Sequence, residues 1–162
     1  MATITSIRIG SSSGYGPIDR AFSMELVVTW YSISYEYKPE RETEFRKAEE
    51  WSYRTTNPTF QGLFWQAAVA AVEGINRVEK KFVTDIGSSS ISVTYDDGTS
   101  IGSRLYFPED KAELKECFEW IQQMVPGCES IPALISTSSS YRKRGGGLGS
   151  FFQTLSRLWS RE

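Results

Sequence analysis

Histidine is missing from this chain altogether, and that one absence removes a wide range of chemistry. Without an imidazole there is no Ser-His-Asp or Cys-His activation of a nucleophile, and the commonest transition-metal ligand is gone. Cysteine is nearly absent too: the 162 residues hold two, Cys117 and Cys128, too few for a structural zinc site. Cys117 falls on the apolar stripe of an expected helix and Cys128 just beyond its end. The helical rise between them, on the order of 12 Å, keeps them out of bonding reach, so both are expected as free thiols.

Long apolar runs are also lacking, so no membrane-spanning helix is expected. The opening MATITSIRIG has neither a basic stretch nor an apolar one behind it, which reads as no signal peptide and a cytoplasmic protein. The loop GSSSGYGP has glycines at 10, 14 and 16 but no Gly-Lys-Ser/Thr and no helix directly after it, so it reads as a turn and not as a phosphate loop. The acidic residues are scattered and do not match a calcium loop. No cofactor and no metal are expected.

What is present is an ordinary core-forming composition, 40% hydrophobic, enough for one domain. The net charge of −2 conceals an asymmetry. From Ser139 onward five basic residues face Glu162 alone, giving the tail +4 and leaving −6 on the rest. An acidic body is ill suited to wrapping nucleic acid, and none is expected as a partner.

Periodicity supplies the architecture. Ile4, Ile7 and Ile9 suggest a first strand. Phe22, Met24, Leu26, Val28 and Trp30 alternate with Ser23, Glu25, Val27, Thr29 and Tyr31 as a second, and the phase slips at Tyr31–Ser32 through a bulge or a short turn before Ile33, Tyr35 and Tyr37. The charged stretch 39–50 reads as a long hairpin loop or a short exposed helix, and Trp51 and Tyr53 resume a strand. Asn57-Pro58 opens a helix whose face is Phe60, Leu63, Phe64, Ala67, Ala70 and Ala71, expected to stop near Gly74. Residues 82–95 read as a strand and DDGT at 96–99 as a hairpin turn. Leu105 and Phe107 form the returning strand, and a helix over 109–125 buries Leu114, Cys117, Phe118, Ile121, Met124 and Val125.

A shift of 54 residues superposes Trp51, Tyr53 and the first helix face on Leu105, Phe107 and the second, apolar on apolar. Two fused ββα units are the expectation: an α+β fold with a mainly antiparallel sheet of four to six strands and both helices on one face. The other face is left open by this reading. The aromatics concentrated between Trp30 and Trp65 fit a helix–sheet core; the alternative is an aromatic surface for a flat ligand, a sugar or a partner.

Carboxylates that could pair for acid–base work are Glu25, Asp85, Asp96 and Asp97, the last two in a turn where Asp is expected for backbone reasons. A hydrolase built on them, a carbohydrate-binding sheet, and a small inhibitor or immunity-type protein are the rival readings to a non-enzymatic binding or adaptor module, which the lack of histidine and of an activated nucleophile favours.

Residues 1–135 read as the domain and 136–149 as a Ser/Gly/basic linker. Over 150–162, Phe151, Phe152, Leu155, Leu158 and Trp159 share one face of an expected helix. Such a short helix needs a surface to form on. Another protein, the chain's own sheet or a symmetry mate, and an anionic membrane approached by Arg142, Lys143 and Arg144 compete for it. The membrane is the weakest of these, since the helix itself carries only Arg157 and Arg161.

Overall fold

A computed structural model describes residues 1–13, 17–83 and 87–124. Six strands form one antiparallel sheet in the order β4-β3-β2-β1-β5-β6. They are β1 (Ile4–Ser12), β2 (Phe22–Thr29), β3 (Ser32–Pro39), β4 (Glu49–Arg54), β5 (Ser88–Tyr95) and β6 (Ser100–Leu105). The helices are α1 (Pro58–Arg77), α2 (Pro108–Ala112) and α3 (Lys115–Met124). The expected α+β class with an antiparallel sheet is therefore what the chain adopts.

Strict alternation decides which side of each strand meets the helices. Ile7 and Ile9, Met24, Leu26 and Val28, Ile33 and Tyr35, Ile91 and Val93, and Leu105 all point inward and are buried. They form one cluster with Phe60, Phe64, Ala67, Ala68 and Ala71 of α1 and with Leu114, Cys117, Phe118, Ile121 and Met124. At about 25 cal/mol per Å² this apolar burial is the main stabilising term. The aromatics of 30–65 divide accordingly. Tyr35, Phe60 and Phe64 are core, Tyr37, Trp51 and Tyr53 pack partly buried against it, and Trp30, Tyr31, Phe45 and Trp65 are exposed.

The ββα pieces are present as β3–β4–α1 and β5–β6–α2–α3, but β1 and β2 lie between them at the middle of the sheet. β4 and β6 are its two edges, and each leads into a helix that starts on a proline.

Several boundaries differ from the expected ones. Trp30 does not continue β2: Thr29 Oγ1 accepts hydrogen bonds from the backbone N–H of Ser32 (2.9 Å) and Tyr31 (3.3 Å), folding Trp30 and Tyr31 into a short hairpin tip. Of the 39–50 stretch, residues 40–48 form a long hairpin loop with a single bridge between Thr43 and Arg46, while Pro39 ends β3 and Glu49 and Glu50 begin β4. α1 passes through Gly74 to Arg77. β5 starts at Ser88, leaving Phe82 outside the sheet and exposed. Phe107 is the residue preceding α2 and not part of β6. The 109–125 helix is two pieces, and Val125 lies outside the described residues.

Arg77 helps explain that last break. Its Nε donates to Glu113 Oε2 (2.8 Å) and its Nη2 to the Glu113 carbonyl oxygen (3.3 Å), occupying an acceptor at the junction. The Leu114 N–H turns back to the Lys111 oxygen (3.0 Å), and the α-helical pattern resumes as Phe118 N–H donates to the Leu114 oxygen (3.1 Å). Upstream, buried Asp110 fastens the start of α2. Its Oδ2 accepts from the N–H groups of Tyr106 (3.0 Å) and Phe107 (3.1 Å), while Lys81 lies 3.7 Å from Oδ1. Lys81 also sits over the Phe107 ring, so the segment after α1 is tied to the one after β6.

Candidate functional site

The eight residues singled out for partner binding, Arg142, Lys143, Arg144, Phe151, Phe152, Leu155, Leu158 and Trp159, lie outside the described residues. So do the linker, Asp85 and Cys128. The remaining carboxylates are spread over different parts of the fold.

Asp96 and Asp97 shape the β5–β6 turn. Asp97 Oδ1 accepts from Thr99 N–H (2.9 Å) and from Thr99 Oγ1 (2.6 Å). The Thr99 hydroxyl and then the backbone bond hold the Asp97 carboxyl below its ordinary range, the reverse of what a proton donor near neutrality needs. Asp96 Oδ1 accepts from Thr3 N–H (3.0 Å), and Asp96 N–H donates to the Thr3 oxygen (2.9 Å), pinning the start of β1. Gly98 completes the turn at φ 82°, a left-handed conformation that suits glycine. These are backbone roles.

Glu25 lies elsewhere, on the face of the sheet turned away from the helices. That face is polar throughout. Among its described side chains the one apolar residue is Val27, and the rest are mainly serine, threonine and charged groups. The register sets three glutamates side by side: Glu25 pairs with Glu36, and Glu36 with Glu50. Continued across the sheet, the same row runs Gly10, Ser90 and Arg104. Like charges directly opposite one another are destabilising, and two neighbours offset part of this. Arg8 Nη1 lies 3.4 Å from Glu25 Oε1, and Lys38 Nζ 2.6 Å from Glu36 Oε1. Lys38 is raised above its ordinary pKa, first by the Glu36 hydrogen bond and also by the field of Glu36, Glu50 and Glu25.

This face is what periodicity left undescribed. Its signal was available in the residues between the alternating apolar ones: Ser23, Glu25, Val27 and Thr29 on β2, then Ser34, Glu36 and Lys38 on β3, of which Val27 alone is apolar.

On the helix side an open concavity of about 620 Å³ is lined by Arg77, Glu113, Glu116, Glu119 and Trp120 among others. Its charges are largely paired: Arg77 with Glu113 (2.8 Å), and Lys115 with Glu119 (3.9 Å). At the β4 edge, Glu49 and Trp51 face inward beside Tyr37 and Tyr35. Glu49 Oε2 and Trp51 Nε1 are buried without a hydrogen-bond partner, and burial raises the Glu49 pKa. Cys117 is a free buried thiol whose pKa is pushed up to about 12, by burial first and by Glu116 second. It is inert as a nucleophile at neutral pH.

Among the described residues no group of three or more His, Cys, Asp or Glu side chains is placed to hold a metal ion. No described helix is long and apolar enough to cross a membrane. The chain matches no protein-family model and no curated protein.

Proposed function

We propose that this protein is a non-enzymatic binding module, an α+β body that presents its C-terminal segment 150–162 to another protein. The observation that carries this reading is the polarity of the open sheet face. An amphipathic helix bearing Phe151, Phe152, Leu155, Leu158 and Trp159 needs an apolar surface. The open face presents Val27 amid serines, threonines and charges, and the inward face is already filled by α1 and α3. Docking on the chain's own sheet thereby loses its support, and a partner's apolar groove gains it. Burying five such side chains contributes roughly 8–15 kcal/mol, close to the cost of ordering about a dozen residues. Engagement of this kind is conditional and reversible, as an adaptor requires. The chemistry still available to Asp96 and Asp97 is that of turn-forming groups, which weighs further against a carboxylate hydrolase.

Deleting 145–162 tests the reading. The truncated chain should keep its melting temperature while losing the proteins that co-purify with the full chain, and Leu155→Asp with Trp159→Asp should reproduce that loss. A large drop in thermal stability would instead make the tail part of the fold. Binding to anionic vesicles that depends on the tail would replace the protein partner with a membrane.

A further inference from the structure

We infer that the open polar face of the sheet is a homodimer interface, with a second copy of this chain as its occupant. The argument rests on how the face's charges are ordered. Along the row Glu50–Glu36–Glu25–Gly10–Ser90–Arg104, acidic residues occupy β4, β3 and β2, and the one cation lies on β6 at the opposite edge. A twofold axis in the plane of the face and parallel to the strands, between β2 and β1, exchanges β4 with β6, β3 with β5 and β2 with β1. Each copy's Glu50 then meets the other's Arg104, Glu36 meets Ser90, and Glu25 meets Gly10. In the adjoining row Val27 meets the aliphatic stem of Arg8. The other in-plane axis, perpendicular to the strands and lying along this row, sets Glu50 on Glu50 and Glu36 on Glu36. Displaced by one row, that second axis sets Glu50 on Arg54, but it still lays each half of the face on its own kind. β4, β3 and β2 carry Glu50, Glu36 and Glu25 against Arg54 and Lys38, whereas β1, β5 and β6 carry Arg8 and Arg104 alone. The first axis is the one that sets the acidic half on the basic half.

Two further observations agree. The like-charge row is a cost that Arg8 and Lys38 only partly offset within one chain, and Glu50 has no ion pair among the described residues. Gly10 places bare backbone opposite the other copy's Glu25, which lets that glutamate approach. Six strands about 4.8 Å apart and about 20 Å long present about 600 Å² per copy, or about 1,200 Å² in total, at the lower end of specific interfaces. An interface of that size suits a reversible dimer, separate from whatever the C-terminal segment binds.

Sedimentation equilibrium of the full chain tests this. The wild type should dimerise in the micromolar range, more weakly as salt rises. Glu50→Arg alone and Arg104→Glu alone should each weaken the dimer at least tenfold, and Glu50→Gln less. The double variant Glu50→Arg/Arg104→Glu should recover to within about threefold of wild type, because the pair is reversed and not removed. These positions are exposed, so the fold tolerates the changes. A chain that stays monomeric at several hundred micromolar would overturn the inference. So would a dimer indifferent to the single substitutions, or a double variant no better than either single one.

Discussion

Glu49 is a carboxylate placed on the inward side of an edge strand, opposite Tyr37. Its Oε2 is buried and receives no hydrogen bond, so the charged form loses water without a replacement. Burial consequently raises its pKa above the ordinary 4.5. A raised pKa means that the folded chain holds this proton more tightly than the unfolded one. The associated stability is fully present below the unfolded value and is lost as pH rises through the folded one. Glu49→Gln should therefore raise the melting temperature at pH 7, and the gain should fade as pH falls below 4.5. Melts at pH 7 and pH 4 check it; a Gln variant less stable at both would show that the carboxylate has a stabilising partner. Asp97 has the opposite sign, since its lowered pKa adds stability above the unfolded value that is lost on acidification. Neither residue's state was legible in the sequence, because each depends on what the folded chain places beside it.

The two main helices show which elements a sequence can announce. Asn57 and Pro58 marked the start of α1 because capping is local: Asn57 Oδ1 accepts from Thr59 N–H (2.9 Å). The end of α1 was misread because Gly74 acts through a neighbour and not through its own backbone. A Cβ there would lie 2.5 Å from Leu114 Cδ2 and 2.6 Å from the Glu113 oxygen. The glycine lets the junction between α2 and α3 come close, and α1 continues beneath it. Gly74→Ala, which would favour an isolated helix, should here destabilise the protein by about 1–3 kcal/mol. Urea unfolding measures this, and an unchanged or higher midpoint would mean that the helices separate at little cost. The break between α2 and α3 was hidden for a similar reason, since Arg77 reaches Glu113 from 36 residues away. In the strands, alternation located the inward residues of β2 and β3 directly. It overran at Trp30 because a hairpin tip can continue an apolar period without belonging to the sheet.

On the scale of the whole molecule, the sheet is closed by a pairing that no local pattern encodes. β1 lies between β2 and β5, with Ile7 opposite both Val28 and Val93. Two ββα units were visible as an apolar repeat, whereas the insertion of β1 and β2 between them was not. Pairing of distant strands leaves no mark on either one. Removing residues 1–12 should therefore split the sheet into β4-β3-β2 and β5-β6 and abolish cooperative unfolding. A truncated chain with a single sharp transition would show that β2 and β5 can join directly. The same placement also bears on how the protein is made. A ribosome delivers Ile7 long before Val93, and at about 5–20 residues per second the interval is roughly 4–17 seconds. Throughout that time β1–β4 and α1 can assemble, but the outer edge of β1 has no strand to meet. The nascent chain thus carries a long, open backbone ladder that the finished protein conceals at its centre, a ready template for pairing with another nascent copy or for a chaperone. Slow stretches of translation before Ser88 would lengthen that exposure, and the loss would appear as aggregated product in a protein whose native state is sound.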